Sequence, residues 1–214
     1  MTKIALFGDT GMVGQEIERI LEHHDQAEVG YRQNSRRQEG DLEPCELAFL
    51  ATKDPESMSF ATDLAKQGKR VIDMSGAFRL TRELFEAGYE MNHTAPDLLE
   101  EAVYGMPAIH ANEIKTANVV GSPGCYPTSV ILSLRPLQNL LQGEASVVAT
   151  SGISGARREV GDDANEVSYS SVIAACANAA KADASWRTSI AFLRSRPNKA
   201  VHEAAPWRAT ARSR

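Results

Sequence analysis

Three glycines spaced three apart constrain how this chain can begin to fold. Gly8, Gly11 and Gly14 form the run GDTGMVG, which follows the apolar stretch Lys3–Phe7 and precedes MVGQEIERILEHH. Lys3–Phe7 reads as a buried strand ending at a glycine. After the loop, Val13, Ile17, Ile20 and Leu21 share one helical face. A glycine-rich turn between strand and helix lets backbone amides approach a pyrophosphate, and the helix N-terminus adds a favourable partial positive charge. An ordinary tight turn uses the same residues. The strand before and the helix after supply the context that a dinucleotide site requires.

The remainder repeats that alternation. Glu28–Tyr31, Cys45–Thr52, Arg70–Ser75 and Asn118–Gly124 read as further strands. Pro55–Gly68 reads as an amphipathic helix stopped by Gly68, residues 81–87 as a short helix, and the rest of 76–117 as loop. Another helix is expected from Pro127 to Leu141, with proline in its first turn. Val147–Gly152 reads as a strand. Ser171–Ser185 holds seven alanines and reads as helical on propensity alone. Strands alternating with helices predict an α/β fold, here a doubly wound, Rossmann-type dinucleotide-binding domain over residues 1–124.

Composition narrows the setting. The hydrophobic share of 43% suits a globular chain, and a net charge of −5 carries no footprint for nucleic acid. No apolar run approaches the ~20 residues of a membrane span. The N-terminus is too short for a secretory apolar region. Three cysteines, widely spaced and without a CxxC pair, argue against a disulfide framework or a metal site and for a reducing, cytoplasmic setting.

Roughly 20 residues beyond the glycine loop, an acidic side chain would hold a ribose 2′-hydroxyl. The chain instead reads YRQNSRR over Tyr31–Arg37. Ser35 and Arg36 there would suit a 2′-phosphate, which favours NADP(H) over NAD, although surface arginines are also common in solvated loops.

Cys45, in an apolar strand, and Cys176, in the alanine-rich stretch, read as small buried hydrophobes. Cys125 differs. It stands between Pro123-Gly124 and Tyr126-Pro127, where a strand ends and a helix begins. Amides at a helix start favour a thiolate and can hold an oxyanion. Ligands of doubly wound sheets bind at the carboxyl ends of the strands. Cys125 is therefore the candidate catalytic nucleophile.

GSPGCYPTSVILSLRPL, Gly121–Leu137, resembles the active-site segment of N-acetyl-γ-glutamyl-phosphate reductases. GDTGMVGQE (Gly8–Glu16), VIDMSGAFRL (Val71–Leu80), AVYGMPAIHANEI (Ala102–Ile114) and ATSGISGAR (Ala149–Arg157) resemble further segments of that family, in order. The resemblance covers most of residues 1–158 and implies thiol chemistry on a small acyl phosphate. The Cys125 thiolate would expel phosphate to form a thioester, and hydride from NADPH would release the aldehyde. It also implies that Gly8, Thr10, Gly11, Met12, Val13 and Gly14 hold the pyrophosphate. Ser75, Gly76, Ser151, Gly152, Ser154 and Gly155 would approach the cofactor. Arg79 and Tyr126 would lie on the substrate side, with an exposed helix-start arginine as the plainer reading of Arg79. Residues 125–171 would begin an α+β substrate domain.

The chain departs from the family in three places. The family's His-Arg-His-x-Pro-Glu stretch has no counterpart, since His202 in AVHEAAP is the only histidine after Cys125. His110 is expected in a loop, and His23, His24 and His93 read as surface residues. Arg157 stands where a glycine is expected after Ala156. Residues 172–214 resemble nothing in the family, and from 181 onward the charge turns to +6 against −11 before it. A substrate domain left incomplete by truncation or a frameshift after about residue 170 is the expectation. Three alternatives stay open: an aspartyl-phosphate reductase, whose cysteine usually follows asparagine; an aminoadipyl-phosphate reductase, which shares the cysteine motif; and a remnant that only binds a dinucleotide. A homo-oligomer is also left open.

Overall fold

A computed structural model describes residues 1–140, 143–151 and 169–177. Its centre is a seven-stranded sheet. The chain enters it through β1 (Thr2–Phe7), crosses over α1 (Met12–Leu21) to β2 (Ala27–Gln33), and turns back into β3 (Gln38–Gly40). It then crosses to β4 (Leu47–Leu50), passes α2 (Asp54–Lys66) and returns as β5 (Arg70–Asp73). Three helices, α3 (Arg82–Tyr89), α4 (Pro96–Glu101) and α5 (Pro107–Thr116), surround the two-residue β6 (Val103–Tyr104), and β7 (Val119–Gly121) leads into α6 (Cys125–Leu134). The sheet order is β3-β2-β1-β4-β5-β7-β6, parallel except for the antiparallel pair β2–β3.

The expected doubly wound α/β domain is therefore present. β1 runs through the middle with neighbours on both sides, and its residues Ile4, Ala5, Leu6 and Phe7 are all 3% exposed or less. A parallel strand covered on both faces needs such an unbroken apolar run rather than an alternating one. From α2, Met58, Ala61 and Leu64 pack into the same core, the helical spacing read from the sequence. β2 lies on one side of β1 and β4 on the other, so the strand order reverses at β1. In such sheets the crevice at that reversal, outside the carboxyl ends of the strands, is where ligands bind.

The structure corrects several expectations. Residues 76–117 are not largely loop, for they hold α4, β6 and α5. These elements are short, and β6 exists because Val103 and Tyr104 pair with Val120 and Gly121. α5 is kinked at His110, whose own backbone is non-helical (φ −116°, ψ 31°), so that histidine sits at a bend between two helical pieces rather than in an open loop. His93 is not a surface residue but 4% exposed, edge-on to the rings of Phe78 and Phe85.

Beyond α6, β8 (Gly143–Ser151) pairs antiparallel with β9 (Tyr169–Ala177). The start of the alanine-rich stretch is thus strand, not helix. Val172 and Ile173 stand in register with Val148 and Val147, and backbone pairing with β8 overrides alanine's helical preference. The other site candidates beyond Ser151, namely Gly152, Ser154 and Gly155, lie outside the described residues, as do Arg157 and the tail from 178 to 214.

Candidate active site

The carboxyl ends of β1, β4, β5 and β7 line up along one edge of the sheet. At the first of them, Gly8 has φ +86°, and a Cβ there would stand 2.4 Å from the Ala51 carbonyl oxygen. A Cβ on Gly14 would stand 2.2 Å from the Gly8 oxygen, so α1 sits against β1 only because residue 14 is glycine. Gly11 is different: nothing crowds its missing side chain closer than 3.4 Å. It caps α1 without a side-chain hydrogen bond. The first-turn amides of Met12, Val13 and Gly14 are the orphan donors of a helix start. Met12 and Val13 are 41% and 48% exposed beside it. Thr10 is exposed as well. An open glycine, orphan amides and an apolar lip fit a dinucleotide pyrophosphate.

The second residue of this loop carries a buried charge. Asp9 is 4% exposed, and its carboxylate accepts hydrogen bonds from Asn34 Nδ2 at 2.8 Å and Arg37 Nη2 at 2.9 Å. Burial alone would raise the Asp9 carboxyl. The Asn34 and Arg37 hydrogen bonds, with the Arg37 charge, outweigh it and hold the group below the usual carboxylate range. Arg32 of β2 pairs with Glu18 of α1. Ser35 and Arg36 sit exposed at the tip of the β2–β3 turn.

The reaction end is built on β5 and β7. Asp73, fully buried at the end of β5, accepts from Ser75 Oγ at 2.7 Å and from the Ser75 amide at 3.2 Å. Burial pushes its carboxyl up, opposed by the hydrogen bonds from Ser75 and Ser57 and by the Arg79 charge. The Ser75 hydroxyl also accepts from the Ala77 amide at 3.1 Å, so it is committed to shaping the turn. The Gly76 amide donates to Asp54 Oδ1 at 2.6 Å and ties this turn to the start of α2.

Arg79 is partly buried and is not an exposed helix-start residue. Its Nη2 donates to the Met74 carbonyl at 2.7 Å and its Nε to the Ser122 carbonyl, clamping the ends of β5 and β7 together. Its Nη1 remains beside Gly124, 3.4 Å from where a Cβ would stand.

α6 begins two residues earlier than expected, so Cys125 is its first helical residue and Gly124 its cap. The thiol is exposed. Thr128 Oγ1 turns inward to the Gly124 carbonyl at 2.9 Å. Tyr126 lies half-buried in the same turn. Cys45 is buried, as expected, although it lies just before β4 rather than in it. Three strand steps of ~4.8 Å put the Cys125 loop about 14 Å from the glycine loop. Sequence reading missed Asp9, Asn34, Asp54 and Asp73 as contributors. A carboxylate between two loop glycines was the available signal for Asp9, and no local pattern marked the others.

A doubly wound sheet with a glycine loop at its strand-order reversal, and a thiol along the same edge, defines a dinucleotide-binding oxidoreductase domain. The sequence matches the semialdehyde dehydrogenase, NAD-binding domain family over residues 34–117. The N-acetyl-γ-glutamyl-phosphate reductase of Thermus thermophilus is 41% identical over 180 residues, covering 73% of this chain and 51% of that protein. That of Acinetobacter baumannii is 36% identical, covering 74% and 54%. In fold, the chain is similar to aspartate semialdehyde dehydrogenase II from Vibrio cholerae, with a TM-score of 0.52, 21% identity and coverage of 72% of this chain and 48% of that one. The chain belongs to the semialdehyde dehydrogenase family of NAD(P)-dependent oxidoreductases, on the branch of the N-acetyl-γ-glutamyl-phosphate reductases. It spans about half the length of the curated relatives it matches. Among the described residues no helix is long and apolar enough to cross a membrane, and no cluster of side chains could hold a metal ion.

Proposed function

We propose that the protein carries the cofactor-binding and thiol-bearing part of an NADP(H)-dependent reductase of N-acetyl-γ-glutamyl phosphate, a step of arginine biosynthesis. The products would be N-acetylglutamate 5-semialdehyde and phosphate. The observation that carries this reading is the position of Cys125: exposed, first in α6, and on the sheet edge that holds the glycine loop.

The Cys125 thiolate attacks the acyl carbon, the carbon–oxygen bond to phosphate breaks, and phosphate departs with that electron pair. A thioester remains on Sγ. NADPH, when bound, supplies the hydride that reduces this thioester to a thiohemiacetal. Collapse of the thiohemiacetal returns the thiolate and frees the aldehyde. Covalent capture splits one difficult reduction into two easier steps, because a thioester accepts hydride far more readily than a carboxylate does. The start of α6 would place its first backbone amides where negative charge develops on the acyl oxygen. Arg79 grips the Ser122 and Met74 carbonyls, which would steady the turn before Cys125 as the thiol meets the substrate. On the cofactor side, Gly8–Gly14 would bind the pyrophosphate and Ser35 and Arg36 the 2′-phosphate of NADP(H).

A second reading is favoured by one observation. Between Cys125 and residue 214 the only histidine is His202, in AVHEAAP rather than in a His-Arg-His-x-Pro-Glu stretch. General acid–base help contributes about 10²–10⁴ in rate, so a chain that binds the dinucleotide without turnover fits the same residues. The assay that separates them supplies N-acetylglutamate semialdehyde, phosphate and NADP, and follows NADPH absorbance with Cys125→Ser as blank. Turnover abolished in the blank supports the reductase. NADPH binding without turnover in either protein supports the second reading.

A further inference from the structure

The two adjacent arginines of the β2–β3 turn are used differently. Arg37 Nη2 donates to Asp9 at 2.9 Å and its Nη1 to Glu39 Oε2 at 2.8 Å, so its charge already faces two carboxylates. The other Asp9 oxygen accepts from Asn34 Nδ2 at 2.8 Å. Asn34 Oδ1 in turn accepts the backbone amides of Arg36 and Arg37, at 2.8 Å and 3.1 Å. A closed ring of contacts thus runs from the glycine loop through Asn34 and the turn to Arg37 and back to Asp9. Arg36 lies at the exposed tip, its backbone held by Asn34, with no partner for its guanidinium among the described residues.

A carboxylate one residue from Gly8 is a poor neighbour for a pyrophosphate. It is tolerable only if its charge is balanced, and the glycine loop supplies no cation of its own. Arg37 supplies it from 28 residues away. A guanidinium spent this way is a weak competitor for another anion, whereas Arg36 is unspent.

We propose that Asp9 and Arg37 are positioning residues, a latch joining the β2–β3 turn to the glycine loop, and that Arg36, not Arg37, is the cation that reads the ribose 2′-phosphate. The Arg36 half rests on the NADP(H) reading above. The latch half does not, because it acts on the pyrophosphate that both dinucleotides share.

The test measures dissociation constants of the full chain for NADPH and NADH. Arg36→Gln is expected to weaken NADPH by about 10–100-fold, the loss of one charge-assisted contact, and to leave NADH unchanged. Arg37→Gln is expected to weaken both by a common factor, leaving their ratio at its starting value. Adding Asp9→Asn to Arg37→Gln is expected to recover most of both affinities, because the unbalanced carboxylate that repels the pyrophosphate is gone. A purely structural role for Arg37 predicts the opposite, a double variant worse than the single. That outcome overturns the latch, as does a loss in Arg37→Gln confined to NADPH. Equal affinities of the unmodified chain for the two dinucleotides would sink the NADP(H) reading and the Arg36 assignment, while the NADH arm still judges the latch. Should Arg37→Gln not fold, a double variant that folds and binds NADH supports the latch, and one that folds without binding overturns it.

Discussion

The two ends of the candidate site are assembled by different means. At the β1 end, position is set by close packing and balanced charge: glycines without room for a methyl group, and Asp9 held by Asn34 and Arg37. At the β7 end it is set by one cation gripping backbone carbonyls, Arg79 on Met74 and Ser122. The first end is also complete, for β1 is sealed on both faces. The second is open. α6 is apolar through much of its length, yet only Val130 is buried, and Leu132, Leu137 and Leu140 are 45%, 45% and 77% exposed in and after it. A helix with little polar surface is ordinarily buried. The contrast teaches that among the described residues the cofactor end is closed by packing, while the thiol end keeps apolar side chains exposed.

Several substitutions would break or sharpen this contrast. Gly14→Ala should have the largest combined effect, on stability and on cofactor binding together, because its methyl would press on the Gly8 carbonyl at 2.2 Å. Overpacking of this kind costs about 1–3 kcal/mol. It should also cost about tenfold or more in dinucleotide affinity, read by titration. Leu6→Ala, at a fully buried position in β1, should lower stability by about 3 kcal/mol in denaturant unfolding. Arg79→Met removes two charge-assisted bonds to backbone and should cost about 2 kcal/mol. It should also change the rate at which iodoacetamide alkylates Cys125, which Leu6→Ala should not.

A pH effect comes next. Burial holds the His93 imidazole below its ordinary range, against the opposing effects of the Ala77 carbonyl and Glu86. Nδ1 accepts the Ala95 amide at 3.2 Å, so the neutral ring donates from Nε2 to Ala77 at 3.0 Å. The unfolded chain therefore takes up this proton at higher pH than the folded one. The stability His93 contributes is full above about pH 6.5 and is lost as pH falls towards the depressed folded value. Melting temperatures across that window should fall for the unmodified chain and flatten for His93→Leu. The smallest effect belongs to Leu140→Ala, within about 0.5 kcal/mol in the same unfolding measurement as Leu6→Ala. A large loss there would contradict the open second end.

Much of the fold was legible in the residues alone. β1, α1, β2, α2, β4, β5 and β7 follow from apolar runs, helical spacing and glycine stops, all written within about ten residues. β6 and β3 were not legible, since a two- or three-residue strand exists only through its partner. The helix read into Ser171–Ser185 failed at its start for a related reason: pairing with Gly143–Ser151 outweighs the local preference of alanine. His93 sits in the polar run EMNHTAPD, and only the distant rings of Phe78 and Phe85 make a slot for it.

By itself, then, the sequence determined an α/β chain with a glycine turn after its first strand and a cysteine at the start of a helix. Those features depend on backbone preferences and side-chain periods that act over one or two turns. Tertiary structure decided which charges balance and what aims the thiol. Asp9 meets Arg37 across 28 residues and Arg79 reaches Ser122 across 43. No local rule encodes such pairs, because each exists only after the parallel sheet has brought the carboxyl ends of its strands to one edge.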